Sequence, residues 1–294
     1  METQQQKESL EYFKEYAQDW KNKADNDARD NINIIKQRND YVLKVLSERE
    51  STKNFLDVGC GTGELVIDAA KKGTHSVGID FSNDMIDIAN KTRESQGAEN
   101  SEFICKSIFD YNLEPESYDL VAANGFIEYI SYDELDKFLT DVAEGLNKGG
   151  SFVFGSRNRL FNIFSSNKFT EQEIENGSAE KLLKEIIKIS SINEPEELVG
   201  FNTAELQKEN TKHNITGVKV STRYQFTPAQ LVNMLDKKGL RTLEIFPVHV
   251  HGAIPDFRNK HPKVHGNIAN LLQEHSGTEM ITNSSSFMIH AIKK

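Results

Sequence analysis

The chain has 294 residues and a formal net charge of −10, with 37% hydrophobic and 27% charged residues, which is typical of a soluble globular protein. No apolar run approaches about 18 residues and the N-terminus lacks a signal-peptide core, so neither a membrane-spanning helix nor secretion is predicted. The acidic balance disfavours a nucleic-acid partner, and two cysteines without a zinc-type cluster predict no disulfide framework, so we expect a cytoplasmic protein.

The first 50 residues have a mostly polar, helical pattern. Tyr12, Phe13, Tyr16 and Trp20 recur at the spacing of one helical face. A second helix, over about residues 31–46, leads into the first strand. Amphipathic packing against the rest of the protein is one interpretation of this aromatic face, and a role over a ligand is the other.

A glycine-rich turn follows the first predicted strand. Phe55, Leu56 and Val58 form the apolar end of that strand, and the next residues read Gly-Cys-Gly-Thr-Gly over positions 59–63. Apolar residues then recur at helical spacing until Gly73. Because glycine lets a ligand approach bare backbone and a helix start presents free N–H groups, strand, turn and helix together predict a ligand site.

Two carboxylates flank this turn. Asp57 lies two residues before Gly59, and Asp80 ends the second predicted strand, 21 residues after Gly59, where such folds place a carboxylate on a ribose diol. The spacing is G-x-G-x-G, and Glu64 stands where a dinucleotide fingerprint has its third glycine. Because the Asp57 carboxylate would repel a pyrophosphate, a nucleoside that carries a positive charge fits better than NAD, and S-adenosylmethionine is such a nucleoside.

Residues 56–63 and 77–80 resemble the two motifs of the Rossmann-like, class I S-adenosylmethionine-dependent methyltransferases. The run over residues 12–20 is similar to the N-terminal segment of the small-molecule, quinone-biosynthesis type, in which this segment closes over the cofactor. The resemblance covers most of residues 10–155 and 226–294. It implies S-adenosylmethionine as cofactor, and an enzyme that transfers its methyl group by in-line displacement to an O, N or C atom of a small-molecule acceptor.

Further strands continue the alternation of strand and helix. Ser82 is a candidate N-cap for the helix after Asp80, and Ser131 with Glu134 matches a capping box. Strands are predicted at residues 103–105, 118–123 and 151–155. The pattern predicts an α/β fold with a doubly wound, mostly parallel seven-stranded sheet that binds its ligand at the carboxyl ends of the strands. The residues expected to converge there are Asp57, Asp80, Ser107, Asn124 and Ser156.

After the fifth strand the alternation stops. Residues 157–225 are polar with helical patches, and small-molecule methyltransferases carry a substrate lid at this position; packing against the body is the other interpretation. Thr227 and Pro228 predict a helix start, strands are predicted at residues 242–248 and 286–292, and residues 249–285 look irregular. We expect a helical cap over residues 1–50, a Rossmann-like domain over 51–156 and 226–294, and a helical lid over 157–225.

The family's binding roles carry over to matching positions as hypotheses. Ser107 stands where relatives often have an acidic residue beside the adenine, so any hydrogen bond there is weaker. Asp57 is expected to orient the methionine end, Asp80 to bind the ribose, and Asn124 to lie near the methionine amine. The residues predicted to contact the cofactor are Tyr16, Asp57, Gly59, Cys60, Gly61, Gly63, Asp80, Phe81, Met85, Ser107, Ile108, Phe109, Asn124, Gly125 and Phe126.

Candidate catalytic and acceptor-binding residues are fewer. Tyr129 stands where many relatives have histidine, and with Arg157 and Phe161 it is predicted to line the acceptor pocket. His249 and His251 follow a late strand, and either is a candidate base for a phenol or enol. Tyr129 is a further candidate catalytic residue. Structural histidines are the alternative. The two histidines have the spacing of a metal-ligand pair, but no acidic partner lies nearby in sequence, so no metal site is predicted.

Other functions stay open at this stage. A protein or RNA methyltransferase would need an open cleft with basic rims, whereas a non-catalytic S-adenosylmethionine-binding module would keep the same motifs. An NAD-dependent reductase is a further rival. Asn124-Gly125 is not followed by Pro-Pro-aromatic, which disfavours methylation of adenine or glutamine amino groups. The identity of the acceptor and the oligomeric state, a homodimer included, do not follow from the sequence.

Overall fold

The computed structural model describes residues 4–25, 32–49, 52–208, 220, 223–275 and 277–294. Within these residues one mixed sheet has the strand order β3-β2-β1-β4-β5-β7-β6. Its strands are β1 (Asn54–Val58), β2 (His75–Asp80), β3 (Ser101–Cys105), β4 (Tyr118–Ala123), β5 (Leu146–Arg157), β6 (Leu240–Val250) and β7 (Ser284–Lys293).

The direction of the last strand makes the sheet mixed. The five strands from β1 to β5 pair in parallel, whereas β7 pairs antiparallel with both β5 and β6. The α/β class and the seven strands are confirmed, and the sheet expected to be mostly parallel is mixed, because β7 runs antiparallel to both neighbours. The alternation of strand and helix cannot predict this reversal, because β7 follows a short 3₁₀ helix and lies between β5 and β6, which both precede it in the sequence.

Helices cover both faces of the sheet. Those in the described residues are α1 (Gln4–Glu15), α2 (Ala17–Asp25), α3 (Ile34–Ser47), α4 (Glu64–Lys71), α5 (Asn83–Gln96), α6 (Tyr132–Gly145), α7 (Phe161–Ser165), α8 (Lys168–Glu175), α9 (Ala179–Ile189), α10 (Pro228–Lys237), α11 (Pro255–Lys260) and α12 (Pro262–Glu274). Measured over these ranges, none is long and apolar enough to cross a membrane.

Alternate side chains of β1 enter two separate cores. Phe55 packs with residues of α3 and α4 on one face, whereas Leu56 packs with residues of α6 and α10 on the other. Both side chains are fully buried. Because successive residues of a strand point to opposite faces, a strand that is apolar throughout requires helices on both sides, as the sequence pattern predicts.

The predicted helix starts are confirmed in their cap geometry. Ser82 accepts a hydrogen bond from the Met85 N–H at the start of α5. Ser131 and Glu134 form the predicted capping box of α6. Thr227 caps α10 in the same way, with Pro228 in its first turn. These signals act over three residues, so the sequence alone specifies them.

The N-terminal helices have two different positions: α3 packs against the sheet, whereas α1 and α2 lie over the ends of its strands. In α3, Tyr41 stacks on Phe246 with 4.6 Å between ring centroids and donates a hydrogen bond to Glu244. This helix is therefore part of the sheet's outer layer. The helices α1 and α2 instead lie over the carboxyl ends of the strands, where Phe13 contacts Phe81 and Tyr129.

Two segments differ from a simple sheet-and-helix layout. The segment over residues 249–285 is helical in α11, α12 and a 3₁₀ helix (Thr278–Asn283), so the expectation of irregular structure there is wrong. After β5, the helices α7 to α9 pack on the body: Leu182 lies in the main core, and Arg159 forms a buried ion pair of 2.7 Å with Glu173. These contacts favour the packing interpretation of this insertion.

Candidate functional site

A cavity opens at the carboxyl ends of β1, β2 and β4. Asp57, Asp80, Ser107 and Asn124 all line it, although they are far apart in sequence. Ser156, at the end of β5, does not line it. The convergence expected from the parallel order of β1 to β4 therefore holds for four of the five strand ends.

The glycine turn forms the floor of this cavity. Gly59, Gly61 and Gly63 all have positive φ angles, of +71°, +53° and +85°, which only glycine adopts without strain. An added Cβ at Gly61 would meet no atom within 4 Å, so that backbone is open to a ligand. At Gly63 a Cβ would lie 2.6 Å from Phe103 Cζ, so this third glycine serves helix packing and does not line the cavity.

Asp57 is buried in the cavity with an unused hydrogen-bond acceptor. The residue is 3% exposed, and its Oδ1 has no hydrogen-bond partner. Burial raises the pKa of Asp57 well above its ordinary value, and the nearby Asp80 and Glu64 carboxylates raise it further. A buried carboxylate without a partner is costly, so this position favours a ligand that brings a positive charge or an N–H donor.

Asp80 is positioned by the turn itself. Its Oδ2 accepts a hydrogen bond from the Gly61 N–H at 3.0 Å, and its Oδ1 accepts one from the Ser82 N–H at 2.8 Å. Burial raises the pKa of Asp80 to about 6, although these backbone hydrogen bonds act in the opposite direction. These two hydrogen bonds fix the carboxylate at the cavity wall, where it can accept further hydrogen bonds from the hydroxyl groups of a ligand.

The far end of the cavity is more apolar. Met85, Ile108 and Phe109 line it. The Ser107 hydroxyl accepts a hydrogen bond from the Phe109 N–H at 3.3 Å, which caps a short 3₁₀ helix. This end has the flat, apolar character that an adenine ring requires, with one hydroxyl at its edge.

Asn124 provides a second unused acceptor. Its side-chain N–H donates to Asn39 Oδ1 at 3.0 Å, while its own Oδ1 is buried without a hydrogen-bond partner. Both Asn124 and Asn39 line the cavity together with Asp57. Two residues that line the same space therefore each have an unpaired buried oxygen atom, one of them from a carboxylate, and together they suit an ammonium group.

Aromatic residues of α1 and α2 cover the cavity. Phe13 and Trp20 line it, and their ring centroids are 5.9 Å apart. The cover is attached to the glycine turn, because Lys21 forms an ion pair of 2.9 Å with Glu64, the first residue of α4. Tyr16 stacks on Tyr12 and does not line the cavity.

A cluster of arginines surrounds the buried Glu128 beside the cavity. Its Oε2 accepts a hydrogen bond from Arg223 Nε at 2.7 Å, and its Oε1 lies 3.6 Å from Arg38 Nη2. Burial would raise the pKa of Glu128, but Arg223, Arg38 and Arg157 outweigh it, so this pKa is below its usual value. Three guanidinium groups and one carboxylate leave the cluster with a net charge of about +2.

Two arginines of this cluster reach the cavity directly. Arg38 and Arg223 line it, whereas Arg157 lies behind them. Arg38 Nε and Arg157 Nη1 are buried without hydrogen-bond partners. Burial lowers the pKa of Arg157 to about 10, and repulsion from Arg223 adds to that effect. Two guanidinium groups therefore stand in the wall of the cavity, and Arg157 adds a third positive charge close to Arg223.

Tyr129 also lines the cavity, next to Arg223. Arg223 lies over its ring, with 5.4 Å from the guanidinium carbon to the ring centroid. Burial raises the pKa of Tyr129 to about 12, although Arg223 opposes this shift. The hydroxyl is therefore protonated at neutral pH, which suits a hydrogen-bond donor better than a base.

The remaining predicted site residues lie elsewhere. His249 and His251 are buried, 2% exposed each, and do not line the cavity. Burial lowers the pKa of His249 well below its ordinary value and that of His251 to about 3, and neighbouring positive groups contribute. Phe161 packs against His251 outside the cavity, with 4.7 Å between ring centroids. The structure gives the base role of the two histidines no support.

Most of the predicted cofactor residues meet at the cavity, and others join them that the sequence did not reveal. Thirteen of the fifteen line it, the exceptions being Tyr16 and Gly63. The glycine turn itself signals Thr62, Glu64 and Leu65, and the aromatic run over residues 12–20 signals Phe13 and Trp20, whereas no local pattern marks the others. The additional lining residues are Gln6, Ser9, Phe13, Trp20, Ile35, Arg38, Asn39, Val58, Thr62, Glu64, Leu65, Ile79, Lys106, Ile130 and Arg223.

The chain is similar to known proteins in sequence and in fold. The chain is 28% identical over 160 residues to the ubiquinone biosynthesis O-methyltransferase of Coxiella burnetii, an alignment that covers 54% of this chain and 65% of that protein. The chain therefore spans just under two thirds of that relative's length.

Solved structures share the fold over nearly the whole chain. Magnesium protoporphyrin IX methyltransferase from Synechocystis PCC 6803, solved with bound SAH (S-adenosylhomocysteine), has a TM-score of 0.57 at 14% identity, covering 99% of this chain and 100% of that one. The [4+2]-cyclase SpnF has a TM-score of 0.58 at 15% identity, covering 99% and 96%.

A family model described as a methyltransferase domain matches residues 49–239, which is more than half of the chain. This range contains the glycine turn, Asp57 and Asp80, on which the resemblance in the sequence rests, and it extends to the end of α10. The family resemblance is thereby confirmed, and the chain belongs to the methyltransferase domain family.

Proposed function

We propose that the protein transfers a methyl group from S-adenosylmethionine to a small-molecule acceptor that carries an acidic group. One observation carries this proposal: a single covered cavity has buried, unpaired acceptor oxygens at Asp57 and Asn124 and an excess of positive charge at Arg38 and Arg223. The first pair suits the cationic methionine end of the cofactor. The second pair suits an anion on the acceptor.

The residues at the cofactor end fit S-adenosylmethionine. Asp57 and Asn124 would accept hydrogen bonds from its ammonium group, and Asp80 would accept hydrogen bonds from the ribose hydroxyls. Ile108 and Phe109 would pack on the adenine ring. When bound, S-adenosylmethionine supplies a methyl group already activated by a positive sulfur, so the protein's main tasks are orientation and the exclusion of water.

The N-terminal helices would exclude that water. Phe13 and Trp20 cover the cavity, and the ion pair between Lys21 and Glu64 attaches their helices to the glycine turn. This arrangement supports the closing role that the sequence resemblance implies for residues 12–20. Within the insertion, Arg223 lines the cavity but no described residue of 157–208 does, so we propose the cover over residues 12–20 as the main lid.

The arginine cluster supports an acidic acceptor. A net charge of about +2 in a buried cluster is unfavourable unless an anion compensates it. A planar guanidinium matches a carboxylate or a phosphate group. The aromatic rings of Phe13, Trp20 and Tyr129 would then contact the apolar body of the same molecule.

The known relatives are consistent with a small acceptor. The relative from Coxiella burnetii is named for ubiquinone biosynthesis, and the solved neighbour for magnesium protoporphyrin IX. A covered cavity, rather than an open groove with basic rims, favours a small molecule over a protein or RNA. The N–H of Gly61 is already bound to Asp80, which disfavours the pyrophosphate of NAD at this turn.

The test combines binding and turnover. Calorimetry with SAH measures cofactor binding, and transfer of a labelled methyl group is then measured to 4-hydroxybenzoate and to its methyl ester, which lacks the negative charge. We expect SAH to bind and the acid to be the better acceptor. In Arg223→Gln the preference for the acid should fall at least tenfold while SAH affinity stays within twofold.

Each failure has a separate meaning. Absence of SAH binding would overturn the cofactor assignment. Equal use of acid and ester, or a preference that Arg223→Gln leaves unchanged, would overturn the acidic acceptor alone. The shared fold with a [4+2]-cyclase favours one second candidate, a cofactor-binding protein that does not methylate. This second candidate predicts that SAH binds but that no methyl group is transferred to 4-hydroxybenzoate or to its methyl ester.

A further inference from the structure

Three buried histidines form a cluster on the far side of β7 from the arginines. His249 is on β6 and His251 directly follows it, while His265 is on α12. They are 2%, 2% and 1% exposed. One ring nitrogen of each lies within 4.8 Å of one ring nitrogen of the other two. Neither the methyl-transfer proposal nor the core packing requires three imidazoles here.

We propose that His249, His251 and His265 bind a divalent transition metal ion, with Zn²⁺ as the first choice. His265 Nε2 and His251 Nδ1 share a hydrogen bond of 3.0 Å, which the ion would replace. Two nitrogen ligands of a tetrahedral zinc ion are about 3.4 Å apart, since each lies about 2.0–2.1 Å from the metal. A shift of a few tenths of an ångström therefore opens this pair for an ion.

The third imidazole is already oriented toward such a role. His249 Nε2 is buried without a hydrogen-bond partner, whereas its Nδ1 lies 3.0 Å from Ser285 Oγ. A metal-binding histidine typically uses its second nitrogen in this way, and the outer hydrogen bond fixes the ring. An unpaired buried nitrogen is costly when nothing binds it, so a bound ion explains what the protein contacts leave unexplained.

The backbone conformation of His249 also supports a metal site. Its φ angle is +55°, a left-handed conformation that is unusual for a residue with a side chain. Such strained residues persist where the surrounding structure requires them, and they cluster at functional sites. His249 and His251, two residues apart at the end of β6, both have ring contacts with His265.

The donor set limits the choice of metal. Neutral imidazoles suit zinc and its transition-metal neighbours, whereas calcium and magnesium prefer oxygen ligands. Arg258 contributes positive charge near His249 and His251. This favours an anion from solvent as the fourth ligand, because three neutral ligands and a cation leave a net positive charge.

A metal at this position would fasten the helical segment to the sheet. It would tie α12 to the end of β6, beside Ser285 and Ser286 of β7. Ser286 accepts a hydrogen bond from Arg38 of the arginine cluster. The ion would thus stabilise the wall behind the cavity without contacting the reacting groups.

The experiment measures metal content and stability in the full chain without a histidine tag. After treatment with a chelator and loading with one equivalent of ZnCl₂, we expect about one zinc per chain by elemental analysis. Loading with CoCl₂ should give the visible absorption of tetrahedral cobalt. Zinc should also raise the unfolding temperature of the chelator-treated protein.

Matched variants separate this site from adventitious binding. His265→Asn and His249→Asn should each lose at least tenfold in zinc affinity and lose the zinc-dependent rise in unfolding temperature. His275→Asn, at an exposed histidine next to α12, should keep both. Absence of zinc in the loaded wild type, or equal zinc content in all four proteins, would overturn the proposal. Circular dichroism of each variant identifies one that fails to fold, and the cobalt spectrum of the wild type tests the site independently of the variants.

Discussion

The buried carboxylate of Glu128 permits a sharp test of the arginine cluster. Replacing it with glutamine keeps the size of the side chain but removes its charge. Glu128 is fully buried and lies 2.7 Å from Arg223 and 3.6 Å from Arg38, so Glu128→Gln leaves three arginines with no neutralising partner. Removing one partner of a buried ion pair costs about 3–5 kcal/mol of stability.

The expected loss is measured by urea unfolding followed by circular dichroism. At about 2–4 °C per kcal/mol, it corresponds to a fall of roughly 10 °C in the unfolding temperature. Glu180→Gln is the matched control, because it removes an exposed carboxylate paired with Lys184 and should change nothing measurable. Added phosphate should stabilise the Glu128→Gln protein more than the wild type, since an anion can take the place of the lost charge.

The contribution of Glu128 to stability should also depend on pH, and the sign of that dependence can be predicted. Because the folded pKa of Glu128 is lowered, its contribution to stability is complete above the ordinary glutamate pKa of about 4.3 and is lost as the pH falls through the lowered value. The stability difference between wild type and variant should shrink over that range. If Glu128→Gln unfolds at the same urea concentration as the wild type at neutral pH, our account of the cluster is refuted.

Three further predictions concern the cofactor end of the cavity. Gly63→Ala should cost about 2–4 kcal/mol in urea unfolding, and Gly177→Ala only about 1, because both have positive φ but only Gly63 has Phe103 in the way; equal losses would contradict this. SAH affinity, measured by calorimetry, should fall about tenfold per pH unit below the Asp80 pKa of about 6, and a flat profile would argue against that carboxylate as a ligand. Trp20, the one tryptophan of the sequence, should change its fluorescence on SAH binding, and constant emission would place it away from the ligand.

Local signals explain why much of the cofactor site was predictable. The glycine turn, Asp57 and Asp80 lie at strand ends, and parallel neighbours bring strand ends to one edge. The caps at Ser82 and Ser131 act within three residues. Each of these features depends on the nearby chain, so the pattern of residue types carries them.

The predictions that the structure does not support concern residues far apart in the chain. The base role assigned to His249 and His251 assumed that a strand following the insertion ends at the cleft. In the structure, the antiparallel strand β7 lies between β6 and β5, so the end of β6 is one strand further from the cavity. Residues 249–285 looked irregular because Gly252, Pro255 and Pro262 interrupt the pattern, yet Pro255 and Pro262 begin helices.

By itself the sequence determined the family, the α/β class and the ligand turn, because strand pattern, glycines and caps are short-range properties. Only the tertiary structure brought Arg38 and Arg223 onto Glu128, from positions 90 and 95 residues away along the chain. It likewise joined His265 to His249 and His251 at the end of β6 and brought Trp20 over the cavity. Such contacts depend on how whole elements pack, and no local pattern of residue types encodes which distant side chains will share one buried space.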